Sequence, residues 1–411
     1  MILTKHSALL FVLFLALVVV LAACGSDAAA VDPTVTAVSV AAAATTSTAV
    51  PSPATAVPTA TLLPPPVLNE MPTSTSTVIP TPTVTPTPVV INSLADFGDN
   101  RNPLTGELVV DTAVLQRRPL MIKISNNPPA YTRPQHGIGQ ADLVFEHVTE
   151  TNITRFTALF YGETPPDIGP VRSARLIDLE LPAMYDAGLV MSGSHPLVSR
   201  ALYNSDIGDR ILREVHTGFY RTGDTSKPSE HTLHADPVGL WEALDELGSN
   251  RPPHFTNSMT FNSVPPEGGD PAAHIALDYS TWSHVEWDYE AENGRYWRTV
   301  DGETFVDGNN GEQVSVSNVI ILYAPHVFDQ EICVYPRDDG GCDLFTTEIQ
   351  IWGSGLAYIM RDGQKYEVTW LRQNRSDMFT FVDDEGNPVP LQIGKTWFQI
   401  VPFYYDDPVI E

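Results

Sequence analysis

The chain has 411 residues, 50 of them acidic and 23 basic, for a formal net charge of −27. No basic run or patch relieves that acidity. Nucleic acid and bare anionic lipid surfaces, which are bound through clustered Lys and Arg, are therefore not expected partners.

In chain order, Lys5 and His6 precede an apolar run from Ala8 to Cys24, the pattern of a positive n-region and a hydrophobic h-region. The run ends in Leu21-Ala22-Ala23-Cys24-Gly25, which resembles the bacterial lipobox, where cleavage precedes a cysteine that then carries a lipid. Residues 1–23 are expected to be a lipoprotein signal peptide. Cys24 is expected to be the lipidated residue that holds the protein to the outer face of a cell membrane. Residues 24–97 are rich in Ala, Thr, Pro and Ser and nearly free of charge, with no aromatic residue before Phe97. Such a segment cannot build a core and is expected to be a disordered stalk. Some 70 residues in a polyproline-like form would reach roughly 200 Å.

Residues 98–260 alternate strand and helix signals. The stretches 118–125, 141–150, 154–162 and 188–194 read as apolar strands, and 197–206 and 237–248 as helices, the latter with Asp236 and Pro237 at its start and Gly248 at its end. The 175–186 segment reads as helical up to Pro182. This alternation predicts an α/β N-terminal domain, a layered sheet with helices. Residues 261–411 are strand-rich, with period-2 aromatic and β-branched residues between Asp-Gly and Glu-Gly turns. A mainly antiparallel β C-terminal domain follows. Apart from Cys24, the only cysteines are Cys333 and Cys342, which bracket a turn-rich loop. Outside the cytoplasm such a pair is expected to form a disulfide.

Three constellations could carry chemistry. Arg172 and Arg175 follow Gly169-Pro170. On a helical reading they share one face at a helix start, with Ser173 between them, and could bind an anion there. The alternative is salt bridging, since Asp178 lies three residues past Arg175. On a strand reading, Asp142, Glu146 and Glu150 share one face with Val144 and Val148. They could act as an acid/base or metal cluster, or pair with arginines such as Arg155 and Arg172. Asn126, Asn127 and Arg133 follow a predicted strand, where sites of α/β folds tend to lie. Two weaker candidates remain. Ser192, Ser194 and His195 could supply a nucleophile and base. His231 and His234 have ligand-like spacing but no evident third ligand, so no metal is expected. No phosphate-binding or dinucleotide-binding glycine motif occurs, and no cofactor is implied.

Together, the strings Asn-Pro-Leu-Thr-Gly (102–106), Asn-Asn-Pro-Pro (126–129), Gln-Ala-Asp-Leu-Val-Phe-Glu (140–146), Ile-Thr-Arg-Phe (153–156) and Gly-Pro-Val-Arg-Ser-Ala-Arg (169–175) resemble the N-terminal domain of YerB-like bacterial lipoproteins. The stretches 317–323, 353–364 and 394–402 resemble that family's C-terminal domain. The resemblance implies an exported two-part lipoprotein and names no reaction. Where the family has Pro-His-Asn, this chain reads Glu230-His231-Thr232, which weakens any role for His231. Three readings stand at this point. The first is a module that binds an anionic cell-wall or glycan ligand at Asn126, Asn127, Arg133, Asp142, Glu146, Arg155, Arg172, Ser173 and Arg175. The second is an envelope hydrolase or phosphotransferase using the same residues. The third is a partner scaffold built on the aromatic C-terminal sheet. Oligomeric state is not encoded in any pattern of the sequence.

Overall fold

Residues 87–280 and 283–411 are described by the computed structural model, within one compact unit. Cys24, the expected signal peptide and most of the expected stalk lie outside the described residues. Packing against the folded part is already present before residue 98. Val90–Ile91 pairs with Phe261–Asn262, and Phe97 packs edge-to-face on Phe261 in the core. Apolar side chains at the end of the Pro/Thr-rich segment find a surface to bury against, which its composition alone does not reveal.

The expected strands form where apolar and β-branched runs occur. In the first half these are β1 (Leu120–Ser125), β2 (Leu143–Val148), β3 (Thr154–Phe160) and β4 (Gly188–Val190), joined by a short strand the sequence reading did not name, β5 (Ile211–Leu212). All five are buried throughout, as continuous apolar runs covered on both faces should be. Helix α1 spans Pro196–Tyr203 and α2 spans Pro237–Glu246. Asp236 caps α2 by accepting from the Val238 N–H at 3.0 Å. Leu240 and Leu244 of α2 face the core.

The second half supplies β6 (His274–Ser280), β7 (Ser283–Glu290), β8 (Arg295–Val300), β9 (Asn318–Tyr323), β10 (His326–Pro336), β11 (Cys342–Ile349), β12 (Gly353–Arg361), β13 (Gln364–Arg372) and β14 (Thr396–Val401). Its sheets are mainly antiparallel, while the first half is mixed. Among the described residues one eleven-stranded sheet runs through both halves, with β13, β12, β9, β14, β2, β3, β1, β4 and β5 in that spatial order. The join is β14, parallel to β9 on one side and to β2 on the other.

The faces of this sheet follow the alternation read from the sequence. Val144, Phe156 and Trp397 point to one side, where β6, β7 and β8 pack Ile275, Trp287 and Tyr296 against them. Leu143, Phe145 and Phe398 point to the other, beneath Phe97, Tyr185 and Phe379. Trp397 sits edge-on to both Phe156 and Trp287 at 5.3 Å, contacts each worth about 1 kcal/mol beyond burial.

The 170–175 stretch departs from expectation. It is extended, and helical turns begin only at Leu176–Leu179 and Leu181–Met184. Val171 and Arg172 donate their N–H groups to Leu233 O (2.7 Å) and Lys123 O (2.8 Å). Pairing with β1 and with Leu233–Ala235 thus takes the backbone groups a helix would have used.

Candidate functional site

The predicted site residues separate into three places. At the start of β2, Asp142 accepts from Asn102 Nδ2 (2.5 Å), Tyr161 N (2.6 Å) and Gly162 N. Burial pushes its carboxyl up to about 6. It ties a turn together and faces no open site.

The second place lies between β2 and the second sheet. Glu146 is fully buried. Its Oε2 accepts from Arg298 at 2.8 Å and Trp397 Nε1 at 3.3 Å, and its Oε1 from Thr154 Oγ1 at 2.9 Å and Asn126 Nδ2 at 3.3 Å. The Arg298 guanidinium, also fully buried, lies 4.4 Å from the Trp397 ring centroid and 5.1 Å from that of Trp287. Every lone pair of Glu146 is occupied, so it is not a base or a ligand in this arrangement. Asn126 also accepts from Gln135. Asn127 and Arg133 edge a small cleft nearby, and Arg133 pairs with Asp301 at 2.8 Å. These residues join the two halves and stand apart from the remaining arginines.

The third place brings Arg155, Arg172, Ser173 and Arg175 together where β1 ends and β3 begins. Arg155 opens β3, opposite Ser125 of β1 and His147 of β2. It is 9 % exposed, donates to Ser173 O at 2.7 Å, and has no carboxylate within ion-pair distance among the described residues. Burial, and then Arg175 and Arg172, push its guanidinium down to about 9. It still carries its charge at neutral pH. Among the described residues Arg172 hydrogen-bonds one backbone carbonyl, Glu230 O, at 3.2 Å, and the charge of the Glu230 carboxylate attracts it without an ion pair. Arg175 does not pair its side chain with Asp178, whose carboxylate instead accepts the Arg175 N–H at 2.6 Å. The guanidinium meets Glu150 at 2.5 Å, and the other oxygen of Glu150 accepts from Thr346 Oγ1 at 2.7 Å. Below the arginines, Lys123 contacts Asp178 (2.9 Å), Thr157 (2.8 Å) and His147 Nε2 (2.7 Å). Four cations therefore face three carboxylates, Glu150, Asp178 and the exposed Glu230, in a chain that is otherwise strongly acidic.

Two weaker sequence candidates border this cluster. The 192–194 turn lies alongside 172–174, with Ser192 N bonded to Arg172 O and Ala174 N to Gly193 O. Ser194 bonds Ser199 and His195 caps α1 through Leu197 N, so the two do not form a nucleophile–base pair. His231 is buried against Tyr131, and its Nδ1 has no partner. Burial and then Arg172 lower its pKa, so it borders the cations as a neutral ring. His234 points elsewhere: its Nδ1 meets Asp167 at 2.8 Å, beside His136. That His136–Asp167–His234 grouping left no local signal to read, because its members lie up to 98 residues apart in the chain. A cavity of about 910 Å³ opens near Trp297, Arg295, Glu163 and Asn309, and none of the clustered arginines lines it.

Comparison with known proteins matches residues 104–250 to the N-terminal domain, and 275–398 to the C-terminal domain, of a family described as protein of unknown function DUF3048. The chain is 30% identical over 304 residues to the Bacillus subtilis (strain 168) protein named Putative lipoprotein YerB, covering 73% of this chain and 86% of that one. The crystal structure of the YerB protein from Bacillus subtilis superposes with a TM-score of 0.62 at 29% identity. It covers 76% of this chain and 99% of its own.

Proposed function

Because the chain belongs to the two-part DUF3048 family, we propose that it is an exported lipoprotein, tethered through Cys24, whose folded part binds an anionic envelope ligand at Arg155, Arg172, Ser173 and Arg175. The lipobox-like Leu21-Ala22-Ala23-Cys24 and the lipoprotein name of the relative support the tether. The observation that carries the binding reading is Arg155, a nearly buried guanidinium with no carboxylate partner that is pressed by two further arginines. Removing one partner of a buried pair is strongly unfavourable, so a fold that keeps such a cation unpaired gains when an anion arrives. Phosphate or carboxylate oxygens would meet the planar donors of Arg155 and Arg172.

Binding is favoured over hydrolysis or phosphoryl transfer by the state of the carboxylates. Glu146 is enclosed, and both oxygens of Glu150 are engaged, one by Arg175 and one by Thr346. The bases left beside the arginines among the described residues are the exposed Glu230 carboxylate and the neutral His231 ring, so an enzymatic reading would rest on those two and not on Glu146 or Glu150.

The test is calorimetry and thermal shift on the purified chain with inorganic phosphate, pyrophosphate, muropeptides and lipid-linked wall precursors. One of these should bind saturably. Arg172→Ala, which breaks one bond to a carbonyl and an exposed attraction to Glu230, should weaken it roughly tenfold or more, the worth of a charged hydrogen bond, with little change in melting temperature. Absence of binding across the panel, with a large fall in melting temperature for Arg172→Ala, would make the cluster a structural element and end the reading.

A further inference from the structure

We infer that His136, Asp167 and His234 form a binding site for a divalent first-row transition metal of the zinc class. The Nδ1 atoms of both rings converge on one carboxylate oxygen, Asp167 Oδ2, at 3.0 Å for His136 and 2.8 Å for His234. The three ligand atoms lie within 4.8 Å of one another. Zinc bonds to nitrogen and oxygen run about 2.0–2.2 Å, so tetrahedral ligand atoms stand about 3.3 Å apart. The two nitrogen–oxygen separations need to open by only a few tenths of an ångström to admit the ion, and the two ring nitrogens lie within 4.8 Å of each other. Two imidazoles and one carboxylate are a donor set for zinc, cobalt or nickel rather than magnesium or calcium. Asn309 Oδ1, 3.3 Å from His136 Nδ1, is placed to complete the set or to hold a water that does.

The surroundings are built to hold these groups still. The other oxygen of Asp167, Oδ1, accepts from Tyr220 Oη at 2.7 Å, which fixes the carboxylate's orientation. His136 and Gly169 exchange reciprocal backbone bonds (2.9 and 3.2 Å). Ile168 does the same with Ala235, next to His234, at 2.9 Å each way. Gly308 N donates to Gln135 O at 2.7 Å, which brings the Asn309 turn alongside. Each ring lies flat against a glycine. A Cβ on Gly169 would sit 2.7 Å from His234 Cγ, and one on Gly308 would sit 2.5 Å from His136 Cδ2. Four separate segments therefore bring their ligand groups to one point, and two glycines leave the rings room to reach it. The site shares no residue with the arginine cluster, so either proposal can fail without the other.

The experiment uses the tag-free full-length chain, stripped with chelator. Titration with Co²⁺ should give a saturable visible absorption of one ion per chain, displaced by Zn²⁺. Calorimetry with Zn²⁺ should give a micromolar or tighter constant. His234→Ala and, on the more exposed ring, His136→Gln should each weaken binding at least tenfold, while Arg172→Ala should leave it unchanged. The wild-type Co²⁺ spectrum is a readout that survives even if a histidine variant does not fold. No saturable Co²⁺ band in the wild type, or an unchanged one in His136→Gln, overturns the assignment.

Discussion

Lys123 is an ammonium buried without exposure, held by Asp178, Thr157 and the Nε2 of His147. His147 donates its other nitrogen to Val148 O at 3.1 Å, and burial keeps its pKa well below the usual value, so it accepts from Lys123 as a neutral ring. Burial likewise pushes Lys123 down, to about 8, against the opposing pull of Asp178. An unfolded lysine keeps its proton to about 10.4. Between these two values the unfolded state binds more protons than the folded state, so this group's contribution to stability rises with pH across that window and is flat below it. The check is urea unfolding of wild type and Lys123→Met/Asp178→Asn from pH 7 to 10. The difference in unfolding free energy should be constant to about pH 8 and then move in favour of the wild type. A flat difference to pH 10 would mean that the ammonium is not depressed. What the sequence told at this scale was which face each residue takes. The alternation of 142–150 placed Glu146 beside Val144 and His147 beside Phe145, as found. It could not tell the partners. Glu146 finds Arg298 and Glu150 finds Thr346, at 152 and 196 residues' separation, while the local guess of Asp178 for the Arg175 side chain was displaced by Glu150.

Elements were legible where a local signal agreed with the tertiary use of the segment. The caps of α2 and the apolar runs of β1 to β3 are such cases. The 170–175 stretch is the counter-case, since its helix-like spacing of arginines was overridden by backbone pairing to Lys123 and Leu233. The β10–β11 hairpin shows both outcomes. Its disulfide, Cys333–Cys342, was readable from cysteine count and compartment. Its docking was not: Thr346 of β11 bonds Glu150, and Ile332 of β10 packs among Ala174, Leu189 and Val198 of the first half. The hairpin therefore braces the carboxylate that holds Arg175. Replacing both cysteines by serine should cost about 2.5 kcal/mol in the chain-entropy model for so short a loop, a drop of several degrees in melting temperature. It should also weaken any anion bound at the arginines, because Glu150 loses part of its support. A calorimetric scan and a binding isotherm on the Cys333→Ser/Cys342→Ser variant measure the two effects separately. An unchanged isotherm would detach the hairpin from the site.

At the scale of the whole molecule the controlling feature is β14. It comes from the last fifth of the chain and lies between β9 and β2, parallel to both. A parallel neighbour leaves no turn or spacing in the sequence to announce it, so a chain that reads as an α/β part followed by an antiparallel part gives no hint that one sheet serves both. The Glu146–Arg298 pair repeats the join on the sheet's face, with both charges removed from water and enclosed by Trp287, Phe305 and Trp397. Separating the halves would expose the β2 edge that pairs with β14 and uncover the apolar face around Val144 and Phe156 that the second half buries. Residues 87–260 expressed by themselves should therefore not unfold cooperatively, whereas 87–411 should melt in one transition. Of the seven tryptophans, only Trp241 precedes residue 261. Fluorescence consequently reports mainly on the second half, while far-UV circular dichroism reports on both. In 87–411 the two signals should give the same urea midpoint, and Arg298→Met should lower both together. Midpoints that diverge, or a stable 87–260 fragment with dispersed amide resonances, would mean that each half has a sufficient core of its own and that the shared sheet is only a contact between them.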